Sequence, residues 1–259
     1  MIKIIQYLYN LVWLLTKKFY SNFTCNKELK IDVGGAYYLR KGWKTLDCYS
    51  KEYPSLQHKM ADYQFNLCSF KKLPLDDNSV SMLYSAHTIE HIPHKYCMHL
   101  FKEFCRVLRR KGVLRITCPD YDKVYECVKN NTHMDYSDYL LKRNRKDFFL
   151  NMIAQYFETR ETNENFERNL KLLSKYELAD YYCLRIPEEF TMAHPMYHCN
   201  WWNAERLIRF LKVAGFNKIY RSEYKKSRFN EFNKKGWLLN KGFDRKERKK
   251  IAVFVEAIK

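Results

Sequence analysis

The stretch VSMLYSAHTIEH, residues 80 to 91, puts two histidines and a glutamate within five positions. A histidine titrates near neutral pH, so it can take the proton of an attacking hydroxyl, and a neighbouring carboxylate can orient its ring. Val80 to Ser85 is a short apolar run after the turn-rich LPLDDNS, which reads as a buried strand. His87, Glu90 and His91 then fall in the turn at its carboxyl end. Open α/β sheets carry their chemistry at that end of the strands. His87 and His91 are therefore the candidate bases and Glu90 the group that orients one of them or caps the next helix. His194 and His198, in TMAHPMYHCNWW, can face the same cleft, and His198 is the candidate for substrate contact.

HTIEH also fits the inverted zinc-peptidase pattern H-x-x-E-H, which would make His87 and His91 metal ligands and Glu90 the base. That chemistry needs both histidines on one continuous helical face and a third ligand downstream. Here the motif follows a strand directly, and Pro93 stands two residues after it. No metal is expected.

The elements that must hold this turn can be read in order. Residues 2 to 20 place Ile4, Ile5, Leu8, Leu11, Val12, Leu15 and Phe19 on one helical face. The preferred reading is a helix packed on the domain or closing over its site, with a membrane-surface helix as the alternative. Leu29, Ile31 and Val33 alternate as a strand, Gly34 and Gly35 make a turn, and Trp43 to Asp47 leads to an acid at a second strand end. A glycine turn lets the backbone approach a ligand, and such an acid can hold both hydroxyls of a ribose. Helical spacing returns over residues 95 to 110, with Arg109, Arg110 and Lys111 at the negative end and Gly112 as its cap. VLRITCPD is the following strand. Residues 121 to 200 read as a helical insertion, since so long a stretch is no bare loop. NAERLIRFLKVAGF is a last long helix, and Phe216 to Tyr224 and Ile251 to Ile258 are closing strands.

Composition bounds the partners. The 259 residues carry a net charge of +18, and residues 221 to 250 hold twelve Lys or Arg against four acids. An anionic partner is implied. The nine scattered cysteines form no CxxC pair and are odd in number. That argues against a disulfide framework or zinc ribbon and for a reducing, cytoplasmic setting.

DVGGA at 32 to 36, Gly42-Trp43, LPLDDNS at 73 to 79 and SAHTIEH at 85 to 91, continued by KEFCRVLRRKG, RITCPD and the final FVEAIK, together resemble the class I S-adenosylmethionine-dependent methyltransferases of the type 11-like branch. The resemblance covers residues 29 to 120 and 200 to 259. It implies an α/β, Rossmann-like, doubly wound sheet of seven mostly parallel strands with an inserted helical cap. The division is an N-terminal amphipathic helix over 1–25, a cofactor-binding half over 26–120, the cap over 121–200 and a C-terminal part over 201–259. It further implies S-adenosylmethionine as cofactor and S-adenosylhomocysteine as product. Gly34, Gly35 and Ala36 would lie against the methionine moiety, Asp47 would hold the ribose, Asn66 and Leu67 would border the adenine, and His87 would sit near the methyl donor. Ala36 stands where the family has its second glycine, and Asn66 where it has an acid.

Within this branch the chain is similar to bacterial capsule and surface-polysaccharide O-methyltransferases, such as those of O-methyl phosphoramidate synthesis. The acceptor expected from that similarity is a small anionic phosphoramidate- or sugar-nucleotide. Arg40, Arg115, Asp120 and Tyr121, with His198, are the expected substrate contacts. Nucleic acid is not an expected partner, while a peripheral membrane contact through residues 2–20 stays open. An RNA methyltransferase and a non-catalytic methyltransferase-like scaffold are the alternatives.

Overall fold

The computed structural model describes residues 11–12, 14–15, 28–35, 40–48, 60–132, 143–233 and 251–259. Ala36, most of the first helix and the basic run at 234–250 therefore lie outside the described residues. Seven strands form one sheet: β1 (Leu29–Val33), β2 (Lys44–Asp47), β3 (Tyr63–Gln64), β4 (Val80–Ala86), β5 (Leu108–Pro119), β6 (Lys218–Ser222) and β7 (Ala252–Ile258). Their order is β3-β2-β1-β4-β5-β7-β6. β1 pairs in parallel with β2 and β4, and β4 with β5. β7 runs antiparallel between β5 and β6. This is the expected α/β Rossmann-like sheet. Its strand order reverses between β1 and β4, and a crevice opens at such a switch point beyond the carboxyl ends of the strands.

The apolar residues of β1, β4, β5 and β7 meet two amphipathic helices, α1 (His94–Val107) and, later in the chain, the helix Ala204–Val213. Leu100, Phe101, Phe104, Leu207 and Leu211 are buried on their inner faces, and Trp202 wedges against Phe101 and Phe210 at ring distances of 5.5 and 5.3 Å. Asn203 caps the later helix by accepting from Arg206 N–H, and Gly215 at φ +104° ends it, as its spacing predicts.

α1 stops at Val107, earlier than expected. Gly112 is no helix cap, and Arg109, Arg110 and Lys111 lie in β5. Leu108 already pairs with Val80, and the register shift before Met82↔Val113 absorbs the basic run, with the positive φ of 62° at Lys111. The sheet ladder outcompetes another helical turn here because Val80 and Leu108 are both fully buried.

The segment after β5 is helical: α2 (Tyr121–Lys129), α3 (Arg145–Ile153), α4 (Asn163–Leu172), α5 (Lys175–Cys183) and α6 (Glu188–Ala193), followed by the Ala204–Val213 helix as α7 and a short α8 (Asn230–Asn233). Side-chain caps at Asn144 and Thr162 and a Ser174–Glu177 capping box start three of them. Phe148, Phe149, Phe166, Tyr182 and Trp201 give these helices a hydrophobic core of their own. Leu11, Val12 and Leu15, on the face expected to pack against the domain, are exposed. The other residues of that face, Ile4, Ile5, Leu8 and Phe19, lie outside the described residues. Among the described residues, no helix is long and apolar enough to cross a membrane.

Candidate active site

The ends of β1, β2, β3 and β4 bring the expected cofactor residues to one edge of the sheet. Gly34, at φ +71°, turns the chain out of β1 and donates its N–H to Leu46 O at 2.8 Å. A Cβ there would lie 2.2 Å from Thr88 Oγ1, and one on Gly35 would lie 2.4 Å from Asp32 Cγ. Only glycine fits either position. Asp32, 2% exposed, accepts from Arg40 Nε at 2.9 Å, and the Arg40 guanidinium covers the Tyr84 ring at 4.2 Å. Burial pushes the Asp32 carboxyl up, and Arg40 pulls it back. Arg40 is thus a brace beneath the glycine turn, not the substrate contact expected of it.

Asp47 is half-buried at the end of β2, with Oδ1 accepting from Cys48 N–H at 2.8 Å. Asn66 is exposed and folds its side-chain carbonyl onto Cys68 N–H at 2.9 Å, beside buried Leu67. An adenine edge would therefore meet mainly the amide nitrogen of Asn66. These residues fit S-adenosylmethionine as a set: a side-chain-free turn after β1, an acid after β2 and an apolar shelf after β3, all at the switch point.

The catalytic candidates meet just beyond β4. His87 is forced to φ +52°, a conformation a bulky side chain adopts at a cost of order 1 kcal/mol or more, and its N–H is tied to Thr117 O at 2.8 Å. Its Nδ1 lies 3.0 Å from Oε1 of Glu90, which sits in a 3-10 turn over Ile89–His91 and is 1% exposed. Burial would raise the Glu90 carboxyl, but the hydrogen bond to His87 and the charges of His87, His91 and His198 overcome that and hold it down at about 2. Burial lowers both His91 and His198, the latter to about 4. The Glu90 carboxylate is therefore held ionised, while burial disfavours a charge on His91 and on His198.

His198 comes from the strap between α6 and α7, and the strap is fastened to the turn by backbone bonds. Cys199 and Asn200 both donate N–H to Glu90 O, at 2.9 and 3.1 Å, and His198 N–H is held by Gln155 Oε1 at 2.8 Å. Asn200 Nδ2 reaches Ile92 O at 3.0 Å and Trp202 Nε1 reaches Ile89 O at 3.2 Å. The His91 and His198 rings meet edge to face, 4.7 Å apart. Cys199, Asn200 and Trp202 went unnoticed in the sequence as organisers of the site. The cluster of polar and aromatic residues after His198 was the available signal.

Three other expected substrate contacts are internal. Arg115, 2% exposed, is ion-paired with fully buried Glu256 and bonded to Ser222 Oγ and Glu223 O, both at 2.8 Å. Asp120 caps α2 and pairs with Arg221 at 3.2 Å. Tyr121 is fully buried and donates its hydroxyl to Lys175 O. His194 packs against Phe190 at 4.4 Å.

The family model described as a methyltransferase domain matches residues 44–116, the span from β2 into β5. No curated protein matches the chain. Among solved structures, a SAM-dependent methyltransferase of Thermotoga maritima aligns at 14% identity over 100% of both chains, with a TM-score of 0.40. One of Archaeoglobus fulgidus aligns at 10% identity over 96% of this chain and 94% of its own, with a TM-score of 0.42. The Haemonchus contortus phosphoethanolamine N-methyltransferase 2, in complex with phosphomonomethylethanolamine and S-adenosylhomocysteine, aligns at 13% identity over 95% of this chain and 53% of its own, with a TM-score of 0.40. Residues 44–116 thus match a methyltransferase domain, on a chain whose described strands form one seven-stranded, mostly parallel sheet.

Proposed function

We propose that this protein is an O-methyltransferase for a small anionic acceptor, and that His87 is its general base. The carrying observation is the His87 Nδ1–Glu90 Oε1 contact of 3.0 Å at the end of β4. With Glu90 ionised, its Oε1 accepts a hydrogen bond from His87 Nδ1–H, which leaves the Nε2 lone pair to receive a proton. S-adenosylmethionine, when bound, supplies an electrophilic methyl. Gly34 and Gly35 would let the backbone close on it, Asp47 would hold its ribose, and Asn66 and Leu67 would border its adenine. His87 Nε2 would take the acceptor's hydroxyl proton as the oxygen bonds to the methyl carbon, with the electron pair of the broken carbon–sulfur bond kept by sulfur in the product S-adenosylhomocysteine.

The acceptor class rests on the charge of +18 and on the sequence resemblance, which favour a phosphoramidate- or sugar-nucleotide of capsular polysaccharide modification. Transfer of labelled methyl to nucleotide-linked acceptors and to RNA, with wild type and His87→Gln, tests both points. The expected result is labelling of the small acceptors alone, with kcat falling by about 100-fold or more in the variant at unchanged cofactor affinity. Labelling of RNA, or a variant as fast as wild type, would refute the acceptor class or the base respectively.

A further inference from the structure

Glu90, His91 and His198 each offer one ligand atom, and these three atoms lie within 4.8 Å of one another. Glu90 and His91 are neighbours in sequence and His198 is distant, and the two hydrogen bonds from Cys199 and Asn200 N–H to Glu90 O hold the strap that carries His198 against the turn. Among the described residues, the buried side-chain polar atoms without a hydrogen-bond partner include Glu90 Oε2, His91 Nδ1 and His198 Nδ1, so each member of the trio contributes one. Native interiors leave few such atoms unpaired, and a buried carboxylate oxygen with no partner is especially costly. Glu90 is 1% exposed, so bulk water does not satisfy it.

We propose that Glu90, His91 and His198 bind a divalent first-row transition cation of the Zn2+ type, with at least one coordination position left for the acceptor. Two imidazoles and one carboxylate are a donor set such ions favour, and three protein ligands leave a tetrahedral ion a fourth position. Donors around a cation bound at about 2.1 Å lie about 3.4 Å apart in a tetrahedron. The three ligand atoms lie within 4.8 Å of one another, so side-chain rotation has to draw them in to that spacing. His198 is 19% exposed, which gives an ion a route in.

The assignment differs from the peptidase pattern in HTIEH. Glu90 is a ligand and not the base, and His87 lies outside the trio with its bond to Glu90 Oε1 intact. The ion's part in catalysis rests on the methyl-transfer reading above. With Arg40 and Arg115 committed to Asp32 and Glu256, the cation supplies the positive charge that holds an anionic acceptor beside His87. Bond making, bond breaking and proton transfer are otherwise as written there.

The test uses the full chain without an affinity tag, stripped with a chelator and titrated with Co2+ by absorption and with Zn2+ by calorimetry. S-adenosylhomocysteine binding and circular dichroism are measured on the same samples. One Co2+ per chain, displaced by Zn2+, is expected. Glu90→Gln and His198→Gln should each weaken Zn2+ by roughly 100-fold or more, since each removes one of three ligands. His99→Gln should change nothing, because His99 is bonded to Lys71 O elsewhere. If a ligand variant does not fold, anomalous scattering from a Zn2+-soaked wild-type crystal decides, with a peak expected between the three side chains. Absence of that peak, no saturable Co2+ binding, or equal binding by folded ligand variants would overturn the site. Metal binding with the expected variant pattern supports the site even if S-adenosylhomocysteine fails to bind, a failure that would count against methyl transfer alone.

Discussion

Replacing Arg115 with alanine separates a structural arginine from a substrate-binding one. Arg115 stands directly opposite Glu256 in the β5–β7 pairing, and the two side chains are 2% and 0% exposed. Losing the guanidinium removes the ion pair and the bonds to Ser222 Oγ and Glu223 O. Glu256 keeps only neutral partners in the cluster, Tyr220 OH at 2.8 Å and Ser222 Oγ at 3.2 Å. Breaking a buried pair from one side costs about 3–5 kcal/mol, because the remaining charge stays buried. In a chain of this size each kcal/mol moves Tm by about 2–4 °C, so Arg115→Ala should melt roughly 10 °C lower. Arg115→Leu/Glu256→Leu should recover most of the loss, because it leaves no unpaired charge. Thermal melts and acceptor KM on the folded enzyme are the assays. An unchanged Tm with a raised acceptor KM would refute the reasoning and return Arg115 to the substrate site.

Gly34→Ala puts a methyl 2.2 Å from Thr88 Oγ1 at a φ of +71°, so it should lower stability and abolish S-adenosylhomocysteine binding; a variant with wild-type Tm and affinity would contradict the packing of the turn. For Glu103, burial is outweighed by bonds from Arg106 and Leu73 N–H, and its carboxyl sits below the ordinary value of 4.5. A group lowered on folding adds stability above its unfolded pKa and loses it as pH falls through the folded one. The stability advantage of wild type over Glu103→Gln should therefore be complete above about pH 4.5 and shrink in acid, as denaturant melts across that range would show, and a pH-independent difference would refute it.

The sheet was legible because its signals are local. Alternating or continuous apolar runs, a glycine pair and turn-rich breaks mark β1, β2, β4 and the crossover to β5, and the acid and histidines at their ends follow from sheet topology. What sequence could not supply was the facing partner of each charge. Arg115 looked available because RITCPD ends near the site, yet the alternation of side chains along β5 aims it at Glu256, a lone acid in the otherwise apolar AVFVEAI strand. That acid was the clue. Arg40 misled in the same way, since its partner Asp32 lies inside a strand that reads as buried. The helix expected over residues 95 to 110 ran too long because propensity and end charges cannot register the pull of a neighbouring buried strand. His198 was found by residue type alone. Its approach to Glu90 depends on tertiary bonds from Cys199 and Asn200 that no spacing rule encodes.

Whether the ends of β1 to β3 hold the cofactor is decided by calorimetric titration of S-adenosylhomocysteine into wild type and Asp47→Ala. Saturable binding of one molecule per chain to wild type is expected. Loss of the β2 carboxylate should weaken it by about 10-fold or more, the worth of charge-assisted hydrogen bonds to the ribose. Absence of binding to wild type, or equal affinity in the folded variant, would contradict that expectation.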